Sequence, residues 1–242
     1  MEKSLSKNIK AVLFDLDGTL RLNVPNSVDV FADCLKGMGV EASGEDHTRA
    51  ERWEHFYFAN SFEIQADSKT YKDDEKGFWV NFTKRRLIAL GLHNGKADEI
   101  APHISNCMEA NYKPQSQLPN GIQTVLQKLQ ETGYVLGVVS NREDPFHEEL
   151  DSLGLKSYFK FSLAGGEVRS FKPDPLIFAH ALKLAGTSAD ETIYVGDNYF
   201  ADVVGALRAG LTPVLYDPGQ LFPEAECDVI RSFDELHGLL IA

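Results

Sequence analysis

The chain reads Ala11-Val12-Leu13-Phe14-Asp15-Leu16-Asp17-Gly18-Thr19-Leu20 close to its first residue. Four consecutive apolar residues that give way abruptly to acidic residues and a glycine are typical of a buried parallel strand ending in a loop. In open parallel sheets, ligands bind beside the carboxyl ends of the strands. We therefore expect the residues after Phe14 to lie at a functional edge of a sheet.

Later parts of the chain repeat this pattern. Further apolar runs are predicted as strands over residues 134–139, 192–195 and 212–216. Helical patterns are predicted between them over residues 121–132, 175–185 and 201–210. Strands that alternate with helices predict an α/β fold with a Rossmann-like open parallel sheet. The polar residues that end the strands should then converge on one edge.

Residues 25–113 have a different character, with charged and aromatic-rich segments of helical pattern and no convincing strand. We predict an inserted α-helical cap domain over 25–113 and an α/β core domain over 1–24 and 114–242. A hinged cap can present groups to the variable part of a substrate. The candidates for that role are Arg49, Arg52, Trp53, Tyr57, Asn60, Arg85 and Arg86, although aromatic and arginine side chains at helical spacing also pack helices together or line solvated faces.

Composition limits the classes of function. The 242 residues carry 24 basic and 36 acidic side chains, a formal net charge of -12, which argues against nucleic-acid binding. We find no signal-peptide pattern and no apolar stretch long enough for a membrane span. Cys34, Cys107 and Cys227 are widely spaced and odd in number, which predicts neither a disulfide framework nor a zinc site. We expect a cytoplasmic protein in a reducing compartment.

Asp15 and Asp17 lie two residues apart just after a predicted strand, so continued strand geometry would direct both side chains to one side. Carboxylate pairs of this kind attract a hard divalent cation such as Mg2+. Asp197 and Asp202 add acidic groups after another strand. Each feature has a simpler alternative, because Asp-Gly also begins surface hairpins and Asp197 could be a helix N-cap.

Two further segments supply positive or hydrogen-bonding groups. Ser140 and Asn141 could donate a hydroxyl and a backbone N–H to a phosphate oxygen, although the same dipeptide also begins turns. Lys172 lies beside Pro173, which would stiffen its backbone. A single lysine is usually solvated surface, but here it could neutralise the charge that carboxylates and phosphate bring together.

In this order, the four segments resemble the motifs of the haloacid dehalogenase-like hydrolase superfamily, and more loosely its phosphatase branch with a helical type 1 cap (phosphoglycolate phosphatase-like). The matching residues are Asp15-Leu16-Asp17-Gly18-Thr19, Ser140-Asn141, Lys172, and Gly196-Asp197 with Asp202. The motifs span most of the chain. The helical insert lies where such family members carry a cap.

The resemblance implies a role for each matching residue. Asp15 would be the nucleophile that forms an aspartyl-phosphate, and Asp17 would act as general acid and then as general base. Mg2+ would be held by the Asp15 side chain, the Asp17 backbone carbonyl and the Asp197 side chain, with Asp202 in support. The phosphoryl group would be bound by Asp15, Gly18, Thr19, Ser140, Asn141 and Lys172, of which Ser140 and Lys172 also take part in catalysis.

We therefore predict a Mg2+-dependent phosphatase that acts on a small phosphorylated metabolite, with neither nucleic acid nor membrane as partner, as a monomer or homodimer. Two alternatives stay open: a phosphomutase of the same superfamily, and a phosphate-binding regulatory protein without turnover. The dehalogenase branch lacks a general acid two residues after the nucleophile, so Asp17 argues against it. The sequence does not identify the phosphomonoester.

Overall fold

The computed structural model of the protein describes residues 8–241. In chain order its strands are β1 (Ala11–Phe14), β2 (Leu22–Val24), β3 (Gln115–Gln117), β4 (Val135–Ser140), β5 (Phe161–Ala164), β6 (Thr192–Gly196), β7 (Thr212–Tyr216) and β8 (Asp228–Ile230). Its α-helices are α1 (Ser27–Gly37), α2 (Gly44–Phe58), α3 (Phe62–Thr70), α4 (Glu75–Leu90), α5 (Asn94–Asn111), α6 (Ile122–Glu131), α7 (His147–Ser152), α8 (Gly165–Val168), α9 (Pro175–Ala185), α10 (Val204–Arg208) and α11 (Phe233–Ile241).

Six strands form one sheet in the order β5-β4-β1-β6-β7-β8, and its neighbouring strands pair in parallel. β1 lies between β4 and β6, with Phe14 in register with Val138 on one side and Val195 on the other. The predicted α/β fold with a Rossmann-like parallel sheet is confirmed. This strand order brings the carboxyl ends of β4, β1 and β6 next to one another.

Side chains that alternate along β1 divide between two cores. Val12 and Phe14 pack into one cluster with residues of α6 and α11, whereas Ala11 and Leu13 pack into a second with residues of α9. All four β1 residues are fully buried. A parallel sheet covered by helices on both faces explains why its central strand is continuously apolar rather than alternating. Within residues 8–241, none of the helices has the length and apolar character needed to span a membrane.

The chain forms two compact units. The unit with the large sheet runs up to Leu22 and resumes at Gln117, and the second unit is Asn23–Ser116. The second unit contains the helices α1 to α5, and β2 pairs with β3 where the chain passes between the units. Its core is built from residues of α1, α2, α4 and α5. A cap role for this unit stays a prediction.

Two arginines proposed for substrate recognition are engaged inside the helical unit. Arg86 is only 3% exposed, lies 3.0 Å from Glu54 and stacks its guanidinium 4.0 Å from the centre of the Phe31 ring. Arg85 lies 2.7 Å from Asp67. These contacts hold α1, α2, α3 and α4 together and favour the packing alternative for both residues.

Tyr57 and Arg49 have similar structural contacts. Tyr57 is fully buried and its hydroxyl donates to Asp67 at 3.1 Å. Arg49 donates to the backbone carbonyls of Ala89 at 2.8 Å and Leu90 at 2.7 Å, near the end of α4. Carbonyls in the last turn of a helix have no intrahelical partner, so Arg49 caps α4.

A disulfide joins Cys34 in α1 to Cys107 in α5, with the two Cα atoms 6.0 Å apart, while Cys227 is a free thiol. The cysteine pattern predicted no disulfide framework, and for Cys34 and Cys107 this expectation is wrong. The two cysteines are separated by 73 positions, and the packing of α1 against α5 brings them together, which spacing along the chain does not reveal. A cytoplasmic location stays a prediction, and it loses the support that unpaired cysteines would have given.

Removal of this disulfide should destabilise the helical unit. We expect the Cys34→Ala/Cys107→Ala variant to lose about 2–4 kcal/mol of unfolding free energy, because a cross-link across a long loop restricts the unfolded chain. Thermal denaturation of the oxidised protein measures the loss. Cys227→Ala is the matched control and should leave the transition nearly unchanged. Thiol titration of the denatured wild type should find one thiol before reduction and three after it, and three before reduction would contradict the cross-link.

Candidate active site

Asp15 is the first residue beyond β1, at the carboxyl edge of the sheet. Its backbone N–H still donates to the carbonyl of Val195 in β6, at 2.8 Å, so the strand pairing continues up to this residue. Asp15 is 6% exposed. A carboxyl group is thus fixed on a rigid strand end and shielded from water.

A tight loop follows and ends beside Asp197. Gly18 has a φ of +91°, and a Cβ atom there would lie 2.3 Å from a carboxylate oxygen of Asp197, so both the conformation and the close approach require glycine. The buried Thr19 hydroxyl donates to Asp197 Oδ1 at 2.9 Å and accepts from the Asp197 backbone N–H at 3.0 Å. Gly18 and Thr19 therefore position Asp197, and their phosphate-binding roles stay predictions.

Lys172 is 2% exposed and extends its ammonium group toward Asp15. Nζ donates to Asp15 Oδ1 at 2.5 Å, to Asp202 Oδ1 at 2.7 Å and to the Tyr194 hydroxyl at 3.0 Å. An ammonium group has three N–H donors, so these partners use all of them. In this arrangement Lys172 restrains Asp15, and contact with a phosphoryl oxygen would require it to exchange one of these bonds.

The polar residues at the end of β4 approach the same place. Ser140 is the last residue of β4 and is buried. The Asn141 side chain spans the backbone of Lys172, donating from Nδ2 to its carbonyl at 2.9 Å and accepting from its N–H at 2.6 Å. Asn141 thus holds the loop that carries Lys172. Any phosphate bond from Asn141 would come from its backbone N–H, as predicted.

Three carboxylates gather around this lysine. Asp15, Asp197 and Asp202 each place one carboxylate oxygen within 4.8 Å of the others. Among residues 8–241, this acidic cluster has the geometry to hold a metal ion. Asp202 Oδ1 is already bound by Lys172, and Oδ2 accepts the Asn198 backbone N–H at 2.9 Å. Asp202 therefore suits a supporting role, with Asp15 and Asp197 as the better candidate ligands.

The electrostatics of this cluster reflect its burial. Burial, only partly offset by the Lys172 charge, raises the pKa of Asp15 to about 7, and burial together with the Asp15 charge raises the pKa of Asp197 to about 7. Burial also raises the pKa of Asp202. Although burial alone would lower the pKa of Lys172, Asp15 and Asp202 hold it well above its usual value, so Lys172 stays an ammonium ion. The Lys172 ammonium thus faces three carboxyl groups that lie close together. This arrangement favours the binding of a second cation.

Asp17 has a different environment. Its carboxylate accepts hydrogen bonds from Arg142 at 2.8 Å to each oxygen and from Arg21 at 2.7 Å. Burial alone would raise the pKa of Asp17, but the hydrogen bonds and charges of Arg142 and Arg21 lower it below its usual value. Glu149 contacts both arginines from the far side.

Four residues of the site were not predicted: Arg21, Arg142, Glu149 and Tyr194. Arg142 directly follows Ser140-Asn141 and Arg21 follows the Asp17 turn, so basic residues adjacent to predicted site segments were the available signal. Tyr194 stands within the apolar pattern of the strand predicted over residues 192–195, and that pattern gives no signal of a polar role. Its hydroxyl also donates to the Val139 carbonyl at 2.9 Å, which links β6 to β4.

Comparison with known proteins agrees with this fold. Residues 12–215 match the family model described as haloacid dehalogenase-like hydrolase, and the chain belongs to that family. The predicted superfamily and hydrolase class are confirmed.

Relatives narrow the class further. The chain is 30% identical to ribulose-1,5-bisphosphate 5-phosphatase of Halopiger xanaduensis, over 93% of this chain and 89% of that protein. It is 27% identical to phosphoglycolate phosphatase of Pseudomonas savastanoi, over 96% and 78% of the two chains. The crystal structure of a phosphatase of this family from Thermococcus onnurineus is 25% identical with a TM-score of 0.55, covering 96% and 98%. These similarities group the chain with the phosphatases of the family.

Removal of the Tyr194 hydroxyl should weaken the support of Lys172. We expect Tyr194→Phe to lower the unfolding free energy by about 1–3 kcal/mol, because a buried N–H and a buried carbonyl each lose a partner. Chemical denaturation measures the change. Tyr134→Phe is the matched control, since its hydroxyl donates to the Leu240 carbonyl at 3.2 Å in a less buried position. Equal, small losses in both variants would contradict a structural role for Tyr194 in the site.

Proposed function

We propose that this protein is a Mg2+-dependent phosphatase that hydrolyses a small phosphomonoester through an aspartyl-phosphate on Asp15. The observation that carries the proposal is the buried Asp15 carboxylate, fixed at a strand end and bound by the Lys172 ammonium at 2.5 Å. A carboxylate is repelled by a phosphate dianion, and a nearby fixed cation offsets that repulsion.

In the first half-reaction, an Asp15 oxygen attacks the phosphorus atom and the bond to the ester oxygen breaks. Asp17 gives its proton to that departing oxygen, so the alcohol leaves neutral. Lys172 keeps Asp15 in place, and Ser140 at the adjacent strand end donates its hydroxyl to a phosphoryl oxygen. The products are the free alcohol and Asp15 carrying the phosphoryl group.

In the second half-reaction, water attacks the phosphorus atom of the aspartyl-phosphate. Asp17, now a carboxylate, accepts the proton of that water. The bond between Asp15 and phosphorus breaks, which returns the Asp15 carboxylate and releases inorganic phosphate. Asp17 is again protonated, so the cycle closes.

The acidic cluster fits Mg2+ by its chemistry, since carboxylate oxygens are the ligands that this ion prefers. Asp15 and Asp197 would bind it through side-chain oxygens and Asp17 through its backbone carbonyl, with Asp202 in support. Bound Mg2+ would supply positive charge to the carboxylates and the phosphoryl oxygens. The burial of Asp15 and Asp197 close to each other, which raises the pKa of both, supports this assignment, because a divalent cation would offset the repulsion between the two carboxylates.

The relatives support a substrate class. The substrates in their names, ribulose 1,5-bisphosphate and phosphoglycolate, are small phosphorylated metabolites with a second anionic group. We propose a substrate of this class. A phosphomutase would use the same core residues and would differ in the fate of the phosphoryl group.

A panel of phosphorylated metabolites that includes these two compounds tests the proposal. We expect continuous phosphate release with Mg2+ from at least one member, loss of release with excess EDTA, and recovery on renewed Mg2+. Asp15→Asn should reduce kcat by more than about 1000-fold, because the nucleophile is lost. Asp190→Asn, an exposed carboxylate of the same unit, is the control and should retain wild-type rates.

The readout also separates the alternatives. Phosphate transferred to a second hydroxyl with little free phosphate would indicate a mutase. Saturable binding of a panel member without turnover would indicate a regulatory protein. Turnover that persists in Asp15→Asn would overturn the covalent mechanism.

Mg2+ should stabilise the protein more at pH 8 than at pH 5. Asp15 and Asp197 have folded-state pKa values near 7, above their usual values, so their contribution to stability is present at low pH and is lost as pH rises through about 7. Mg2+ binds the deprotonated carboxylates and offsets that loss. Thermal denaturation with and without MgCl2, against NaCl of equal ionic strength, measures the difference. An equal shift at both pH values would be inconsistent with binding at this cluster.

A further inference from the structure

Asp17, Arg21, Arg142 and Glu149 form a closed ring of ion pairs, here called the Asp17 clamp. Arg142 donates from Nε to Asp17 Oδ2 and from Nη2 to Oδ1, both at 2.8 Å, and Arg21 donates from Nη1 to Oδ1 at 2.7 Å. Glu149 completes the ring, 2.7 Å from Arg21 and in direct contact with Arg142. Two acidic and two basic groups balance, so the ring carries no net charge.

Three separate segments build this clamp. Asp17 and Arg21 come from the loop after β1, Arg142 from the loop after β4, and Glu149 from α7. A backbone hydrogen bond from the Gly18 N–H to the Arg21 carbonyl, at 2.9 Å, folds the first loop so that Arg21 returns beside Asp17. The carboxylate is therefore fixed from two directions rather than by its own loop alone.

The geometry of the Asp17 clamp fixes the orientation of the Asp17 carboxylate as well as its position. The two parallel N–H bonds from Arg142 define the plane of the Asp17 carboxylate, which a lysine, as a point charge, would not do. Glu149 in turn restricts both guanidinium groups. Because Oδ1 accepts two of the N–H bonds and Oδ2 accepts one, the carboxylate keeps a lone-pair direction at Oδ2 for exchange with another group.

The side chains of the Asp17 clamp are partly exposed to solvent. This exposure indicates that the clamp orients the Asp17 carboxylate more than it stabilises the folded protein. The Asp17 side chain is 40% exposed, against 8% for Asp15, and the arginines and Glu149 are 20–28% exposed. Ion pairs that stay in contact with water contribute little to stability. The same exposure leaves Asp17 accessible to an incoming molecule while its plane is held.

We propose that Arg142, restrained by Glu149 and assisted by Arg21, is a positioning residue that directs Oδ2 of Asp17 to the leaving oxygen of the phosphomonoester. This inference rests on the proposed function, in which Asp17 exchanges the proton of that oxygen. Loss of the clamp slows the proton transfer and leaves phosphoryl binding intact, because Arg142 contacts Asp17 and not the Asp15 cluster.

Two esters of similar size separate these effects. Benzyl phosphate has a poor leaving group that needs a proton, whereas p-nitrophenyl phosphate leaves as a stable anion. For Arg142→Gln we expect kcat/KM, which reports transfer of the phosphoryl group to Asp15 before water reacts, to fall about 10- to 100-fold with benzyl phosphate and at most a few-fold with p-nitrophenyl phosphate, with KM for benzyl phosphate nearly unchanged. Arg231→Gln, an exposed arginine bound to Gln220 in the same unit, is the matched control and should not change either rate.

Further variants test whether Arg142 affects the rate through its paired hydrogen bonds to Asp17. Arg142→Lys should recover only part of the benzyl phosphate rate, since it keeps the charge without the paired bonds. Glu149→Gln should give a smaller loss in the same direction, and it tests the clamp if Arg142→Gln fails to fold. In an Asp17→Asn background, Arg142→Gln should cause no additional selective loss, because the two residues act as one unit.

Several outcomes would overturn the inference. Equal losses of kcat/KM with both esters would make Arg142 a general structural residue. A raised KM with unchanged kcat would make it a substrate-binding residue instead. Full rates in Arg142→Lys would show that charge alone is sufficient. If the wild type hydrolyses neither ester nor any metabolite of the panel, the proposed function itself fails, and the two failures are thereby distinguished.

Discussion

The buried Lys172 ammonium is the interaction on which the rest of the site depends. A charge removed from water is costly unless it is paired and hydrogen-bonded, and a lysine alone among apolar strands would lose its proton. Asp15, Asp202 and the Tyr194 hydroxyl satisfy its three N–H donors. In return, that single cation allows acidic groups to be buried at one strand edge, and Asn141 fixes the backbone that carries it.

The order of the strands in the sheet explains how residues far apart in the sequence meet at one site. Lys172 and Asp15 are 157 positions apart, Thr19 and Asp197 are 178 apart, yet each pair is in hydrogen-bond contact. Because β5, β4, β1 and β6 are neighbours in a parallel sheet, the segments that follow them, including the one after β5 and α8 that carries Lys172, meet without crossing. The sheet is buried on both faces, so these loops start from fixed points. Precise placement of the charges thus follows from ordinary packing of apolar strands.

The sequence predicts features that depend on the pattern of residues along the chain, and it does not predict features that depend on how the elements pack. The strand Ala11–Phe14 and the helix Pro175–Ala185 were predicted with the bounds found, because each has an unbroken apolar or amphipathic pattern with clear ends. The short strand Asp228–Ile230 has a weak pattern and was missed. Side-chain contacts such as the Cys34–Cys107 disulfide depend on how helices pack, and pattern along the chain does not encode them. The carboxylates and Lys172 were predictable because they resemble family motifs, whereas Tyr194 and Glu149, which support them, match none of those motifs.

Asp15 and Asp17 are two positions apart but have opposite environments. Burial raises the pKa of Asp15 to about 7, whereas the arginines around Asp17 lower its pKa. A nucleophile should be deprotonated and a general acid protonated, so these shifts oppose the proposed roles in the protein alone. A divalent cation beside Asp15 would lower its pKa, and the negative charge of a phosphate ester near Asp17 would raise the pKa of Asp17. In the proposed mechanism, cation and substrate would thus act together to favour the reactive protonation states.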